Sequence, residues 1–227
     1  MIDVVFLDAG GVLVTPDPEL VLRRFAAVGI AIEDPGLVFA AHYHGVRAID
    51  DARAEPEVFD DYHLAYARHL GIGGEQLAAA AGALGSLWAE SGLWRDVVPG
   101  AAEGLAAIAA TGTPIVVVSN ADGTVDQLLE STGLLQVGPG PGTEVVAIVD
   151  SGRVGVAKPD PQIFHLALEL AGTTADRAIH VGDAYQYDVR GARAAGVRPL
   201  LVDPFDLRGD VDCERITTLA QVVDHLG

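Results

Sequence analysis

Val4-Val5-Phe6-Leu7-Asp8-Ala9-Gly10-Gly11-Val12-Leu13 is the stretch on which the reading of this 227-residue chain turns. Four apolar, mostly β-favouring residues run without a break, too few for a helix, and the run closes on a glycine pair. That is the pattern of a buried strand. A carboxylate stands where the strand stops, and the two glycines let the backbone turn and bare its amides. In open parallel sheets ligands gather at the carboxyl ends of the strands. Asp8 is therefore placed where a nucleophile or a metal ligand would stand. Taken alone, an Asp that caps the following turn is the plainer reading.

Residues 15–18 read as a turn or linker, with Pro18 near the start of a helix reaching about Val28. Residues 35–50, 55–70 and 74–90 follow as helical segments, and Val58, Tyr62, Ala65, Tyr66 and His69 recur at helical spacing. This block of about eighty residues breaks the α/β pattern and reads as a helical insertion. From Val97 strands alternate with helices. Residues 115–118 form a strand that ends in Ser119-Asn120, residues 145–149 a third, and residues 178–181 a fourth that ends in Gly182-Asp183. Residues 199–202 add a further strand, residues 138–142 a loop, and helices fall at 101–110, 124–131, 161–171 and 189–195. Such alternation implies βαβ units and a parallel sheet covered on both faces.

Composition narrows the function classes. Fourteen basic against 32 acidic residues leave a net charge of −18, which argues against nucleic acid and anionic membranes. No apolar run approaches the roughly 18 residues of a membrane helix, and Met1-Ile2-Asp3 does not open a signal peptide. A cytoplasmic protein, monomer or homodimer, is expected. Cys213 is the single cysteine, so an internal disulfide and a cysteine metal cluster are ruled out. Among the fourteen basic residues only Lys158 is a lysine. A coding bias toward arginine explains the scarcity of lysine but not the position of the last one.

Three strand ends carry polar groups: Asp8, Ser119-Asn120, and Asp183 with Asp188. Lys158-Pro159 opens a helix between the second and third. One such residue is a plausible cap, whereas all of them together are not explained as caps.

On these residues the chain resembles the haloacid dehalogenase-like hydrolases over nearly its whole length. Asp8-Ala9-Gly10-Gly11-Val12-Leu13 matches the family's first motif with one departure, and the strand ending in Ser119 matches its second. The run from Val154 through Lys158-Pro159-Asp160-Pro161 resembles the third, and Gly182-Asp183 with Asp188 the fourth. The resemblance implies a Rossmann-like parallel sheet made of residues 1–14 and 96–227, with helices on both faces and an inserted α-helical cap at residues 15–95. It implies attack by Asp8 on a small phosphorylated metabolite, an aspartyl-phosphate intermediate, and a Mg²⁺ held by Asp8, the Gly10 carbonyl, Asp183 and Asp188, the last from behind. Lys158 would contact both Asp8 and the phosphoryl group, while Ser119 and the backbone amides around Gly10, Gly11 and Asn120 would bind its oxygens.

The departure is Gly10, where the family's phosphatases usually carry a second Asp as general acid and base. That role contributes about 10²–10⁴-fold, so a weak phosphatase favouring activated esters is expected. His42, His44, Asp17 and Asp122 are the nearest-looking substitutes, although an ordinary cap or loop role suits each better. Arg47, Arg53 and Arg95 are candidates for a substrate carboxylate, with solvated surface the plainer reading. His180 reads as a core histidine, Trp88 and Trp94 as packing. A 2-haloacid dehalogenase would use the same aspartate without metal, but the retained Asp183 and Asp188 oppose it. A phosphonate-cleaving enzyme needs a further lysine that this chain lacks. A catalytically quiet binding module draws support from Gly10 alone.

Overall fold

Val4–Leu7 forms β1, with every residue buried. The computed structural model of the chain describes residues 1–51, 58–88, 90 and 92–227, with Val58 and Phe59 described by backbone alone. Arg53, a candidate substrate contact, lies outside the described residues. The chain divides into two compact units, Met1–Val14 with Val97–Gly227, and Thr15–Asp96.

The unit Thr15–Asp96 is helical. Residues expected as a linker instead begin with a short strand, β2 (Val14–Pro16), which pairs with β3 (Trp94–Val97). Helix α1 (Pro18–Ala27) follows, its first turn held by Asp17, which accepts from the Glu19 and Leu20 amides. Asp34 caps a 3₁₀ turn at Pro35–Leu37, so the helix expected from residue 35 starts later, as α2 (Val38–Asp51). Helices α3 (Val58–His69) and α4 (Gln76–Trp88) complete the set. Their core is aromatic: Tyr62 and Tyr66 are fully buried, and Trp88 lies 5.2 Å from Tyr62, ring centre to ring centre. Gly45 makes this possible, because a Cβ there would stand 2.6 Å from the Tyr62 ring. β3 carries no sequence signal for a strand, since its exposed and half-buried residues, Trp94-Arg95-Asp96-Val97, lack apolar alternation.

The second unit continues with α5 (Ala101–Ala110), β4 (Ile115–Ser119), α6 (Val125–Ser131) and β5 (Leu135–Val137). The single strand expected at 145–149 is two, β6 (Thr143–Val145) and β7 (Ala147–Asp150). They break at Val146, whose amide crosses to the Ile115 carbonyl while its side chain faces solvent. Next come α7 (Ser151–Val154), α8 (Pro161–Ala171) and β8 (Ala178–Gly182). The helix expected at 189–195 is preceded by a π-helical turn, Tyr185–Val189, before α9 (Arg190–Ala194). β9 (Arg198–Val202), β10 (Arg215–Ile216) and a 3₁₀ segment, Leu219–His225, close the chain.

Six strands form one sheet in the order β10-β9-β8-β1-β4-β7, and every pairing is parallel. The fold is therefore α/β, a Rossmann-like parallel sheet flanked by helices. β1 is central, with Phe6 opposite Val116 on β4 and His180 on β8. Ile163, Phe164 and Ala167 of α8 pack on Val4, Phe6, Val116 and Val118, the even-numbered face of these strands. This topology sets the ends of β4, β1 and β8 side by side. No helix among the described residues is long and apolar enough to cross a membrane.

Candidate active site

Asp8 follows the last residue of β1, and its backbone amide donates to the Val181 carbonyl at 2.9 Å, continuing the sheet by one bond. The chain then turns tightly: the Ala9 amide donates to Asp8 Oδ1 at 2.7 Å, and Gly11 sits at φ 66. Gly11 was expected to offer its amide to a phosphoryl oxygen. Instead, closing this turn points that amide at the Val14 carbonyl, 2.8 Å away.

Lys158 reaches the same point. Its Nζ lies 2.9 Å from Asp8 Oδ1 and 2.7 Å from Asp188 Oδ1, and the residue is only 3% exposed. Asn120 holds the lysine backbone from both sides: its Nδ2 donates to the Lys158 carbonyl at 2.9 Å, and its Oδ1 accepts from the Lys158 amide at 2.8 Å. The Asn120 side chain is spent on Lys158, and the substrate contact expected of this residue is its backbone amide. Ser119, at the end of β4, makes no side-chain hydrogen bond among the described residues and keeps its hydroxyl available.

Asp188 returns to the cluster through the π-helical turn, in which its amide donates to the Ala184 carbonyl at 2.7 Å. Its carboxylate packs where a side chain on Gly182 would be: a Cβ there would stand 2.1 Å from Asp188 Cγ. Lys158 Nζ and His180 Nε2 both meet Asp188 Oδ1, at 2.7 and 2.9 Å, and the Ala184 amide meets Oδ2 at 3.0 Å. Asp183, also buried, completes the group. One carboxylate oxygen from each of Asp8, Asp183 and Asp188 lies within 4.8 Å of the others.

Charge in this cluster is unbalanced, with three carboxylates converging on one ammonium. Burial, reinforced by Asp188 and Asp183 and only partly opposed by Lys158, pushes the Asp8 carboxyl up to about 7. Asp188 goes the other way. Burial disfavours its charge too, but Lys158 and His180 outweigh it and hold the carboxyl below the usual range. Burial likewise works against the Lys158 ammonium, but Asp188 and Asp8 outweigh it and raise its pKa above the ordinary value. Burial keeps the His180 ring on the neutral side. With all three acids ionised the group lacks two positive charges. Its donors are hard oxygens within one ion's reach, so the residues fit a divalent cation of the Mg²⁺ type. Asp188, its oxygens already met by three donors, suits the role of buttress better than that of direct ligand.

Each described candidate for replacing a carboxylate at Gly10 is held by partners of its own. Asp17 caps α1 and pairs with Arg95 at 2.6 Å. His42 Nδ1 lies 2.8 Å from the Tyr62 hydroxyl, and His44 stacks on His69 with ring centres 3.9 Å apart. Asp122 accepts from the Thr124 amide and hydroxyl. Arg47 pairs with Asp51 at 2.9 Å.

Three contributors escaped the sequence. Asp150, at the end of β7, accepts from the amides of Gly123, Val125 and Gly152 at 2.9–3.2 Å. Ser151 Oγ exchanges hydrogen bonds with the Ala121 amide and carbonyl. Together they pin the loop that carries Asn120, and an Asp-Ser-Gly run directly after an apolar strand was the available signal. Arg208 is 3% exposed, and its Nη2 reaches the Asp183 carbonyl at 3.5 Å. It lies in an irregular loop anchored by Asp203, whose carboxylate accepts from the Leu207 and Arg208 amides. No periodicity points to it.

Comparison with known proteins adds to this geometry. A family model described as haloacid dehalogenase-like hydrolase matches residues 2–196. The haloacid dehalogenase-like hydrolase domain-containing protein 3 of Bos taurus is 37% identical over 114 residues, covering 49% of this chain and 43% of that protein. A phosphoserine phosphatase of Thermus thermophilus is 48% identical over 67 residues, 30% of this chain and 27% of that protein. These matches span less than half the length of the curated relatives. Among solved structures, a 2-haloacid dehalogenase from Pseudomonas syringae shares the fold with a TM-score of 0.57 and 21% identity, over 100% of this chain and 98% of that one.

Proposed function

The chain belongs to the haloacid dehalogenase-like hydrolases, and from that premise we propose that it hydrolyses a small phosphate monoester through a phosphorylated Asp8. The observation that carries the proposal is Lys158 Nζ, buried and bridging Asp8 and Asp188 at 2.9 and 2.7 Å. An enzyme that displaces halide from carbon has no use for three converging carboxylates, whereas phosphoryl transfer consists largely of positioning and neutralising charge. Phosphatases among the relatives support the same choice.

In this mechanism an Asp8 carboxylate oxygen attacks phosphorus in line, the bond from phosphorus to the ester oxygen breaks, and the alkoxide departs and takes its proton from solvent water. Lys158 holds the nucleophile in register and meets a phosphoryl oxygen as a point charge. The Ser119 hydroxyl and the Asn120 backbone amide take the remaining oxygens. Asp8 and Asp183, with the Gly10 carbonyl, would hold a Mg²⁺, and Asp188 would brace them. When bound, that ion supplies the positive charge the cluster lacks and offsets charge building on the transferring group. Water then attacks the phosphorus of the aspartyl-phosphate, the phosphorus–oxygen bond to Asp8 breaks, and inorganic phosphate leaves with the carboxylate regenerated. At Gly10 no side chain delivers a proton to the departing alcohol, so esters of acidic alcohols react fastest.

Phosphate release from para-nitrophenyl phosphate and from a panel of phosphorylated metabolites, with and without Mg²⁺, tests the proposal. Mg²⁺-dependent release that Asp8→Asn abolishes is the expected result. Chloride release from a 2-chloro acid in the absence of metal would replace it with dehalogenation. Neither activity, with ligand binding retained, would make the protein a binding module.

A further inference from the structure

His180 is fully buried on β8, yet its surroundings are not wholly apolar. Its ring packs T-shaped against Phe164, with centres 4.9 Å apart, while Nε2 lies 2.9 Å from Asp188 Oδ1. Strand periodicity explains the encounter. His180 and Gly182 project from the same face of β8, and Asp188 occupies the space a Gly182 side chain would fill. An ionised carboxylate can only accept, so the ring donates from Nε2, and Nδ1 is left without a hydrogen-bond partner.

Asp188 Oδ1 therefore serves two donors, His180 and Lys158, and Lys158 Nζ in turn serves two carboxylates, Asp188 and Asp8. We infer that His180 is a positioning residue that sets how Lys158 divides between Asp188 and Asp8, acting on the reaction through this chain of hydrogen bonds without touching substrate. Its N–H meets part of the charge on Asp188 Oδ1, and the ammonium stays within 2.9 Å of the nucleophile. Remove that donor in a low-dielectric site and Oδ1 draws on Lys158 alone, tightening that pair at the expense of the other. Only the kinetic arm of the test rests on the proposed phosphatase activity.

Because the chain contains one lysine, protein grown on ¹³C,¹⁵N-lysine gives a single set of side-chain signals, all from Lys158. His180→Gln keeps an N–H near the position of Nε2, while His180→Met keeps apolar bulk and offers no donor. In the metal-free protein the Met variant is expected to shift the Lys158 Cε and Nζ signals, and the Gln variant to leave them near the parent's. With Mg²⁺ and para-nitrophenyl phosphate, the Met variant is expected to lose about 10–100-fold in kcat/KM, the range for partners that orient such a site. The loss should fall on kcat, and Gln should recover most of it. An unmoved lysine signal in a Met variant that melts with the parent overturns the inference. So do Gln and Met variants that lose activity only in step with their melting temperatures. Should the Met variant fail to fold, the parent labelled with ¹⁵N-histidine decides the point: a proton on Nε2 of His180 is required, and a ring protonated on Nδ1 alone refutes it. A parent inactive on every ester would count against the phosphatase proposal and leave both spectra to judge His180.

Discussion

Replacing Asp8 by Asn should make the metal-free protein more stable, and the gain should depend on pH. Burial beside Asp188 and Asp183 lifts the Asp8 carboxyl from 3.8 to about 7. An acid whose pKa is raised by folding holds its proton more tightly in the folded state. Stability therefore falls as pH rises from near 3.8 to about 7, and is level above that. At about 1.4 kcal/mol for each tenfold change in proton affinity, the loss at pH 8 is on the order of 4 kcal/mol. Asn has no proton to give up and escapes it. His180, kept neutral by burial, adds stability with rising pH up to its unfolded value of 6.5, the opposite sense. Parent and variant share that contribution, so their difference isolates Asp8. Thermal unfolding in EDTA measures it. At roughly 2–4 °C per kcal/mol for a chain of this size, the variant should melt about 8–16 °C above the parent at pH 8, with that gap more than halved at pH 5. Magnesium at pH 8 should narrow the gap by raising the parent. A difference that ignores pH, or a variant less stable at pH 8, would refute the electrostatic account of the cluster.

Four further outcomes are expected. Gly182→Ala drives a methyl to 2.1 Å from Asp188 Cγ; overpacking of this kind costs about 1–3 kcal/mol, and with Asp188 displaced the turnover of para-nitrophenyl phosphate should collapse well beyond that loss of stability. Asn120→Ala removes both hydrogen bonds to the Lys158 backbone, which should lower the melting free energy by about 1–2 kcal/mol and kcat/KM by roughly tenfold. Gly10→Asp should speed alkyl phosphates more than aryl ones, because only the poorer leaving groups need the proton; equal gains would count against that role. Burial pushes the Cys213 thiol up to about 11, so a disulfide reagent at pH 8 should label the native protein slowly and the urea-unfolded protein at once.

Sequence exposed the centre of the fold more clearly than its edges. β1 and the first four residues of β4 are unbroken apolar runs, and β8 departs from one only at His180 and its closing Gly182, because both faces of a central parallel strand are covered. β3, β5 and β10 are short and partly exposed, and they owe their existence to a neighbour rather than to their own composition. Asp8, Lys158, Asp183 and Asp188 stood out in the sequence as charged residues at places where caps do not explain them, and the structure gathers all four. What escaped was who holds whom. The turn geometry that takes the Gly11 amide, the Asn120 clamp, the Asp150 anchor and the partner of His180 depend on contacts across strands, and spacing along the chain does not encode those.

The strand at the middle of the sheet is also the first one made. Val4 pairs with Ala178, and Val5 with Ile115, so during synthesis at about 5–20 residues per second β1 waits on the order of 10–35 s for its last neighbour. This apolar strand has two open edges until β4 emerges and one until β8 does, while Thr15–Asp96 is contiguous and can close at once. Chains released before β8 emerges keep β1 unpaired on one side and are the ones that should aggregate, which makes residues 178–182 the point after which a nascent chain becomes safe to release.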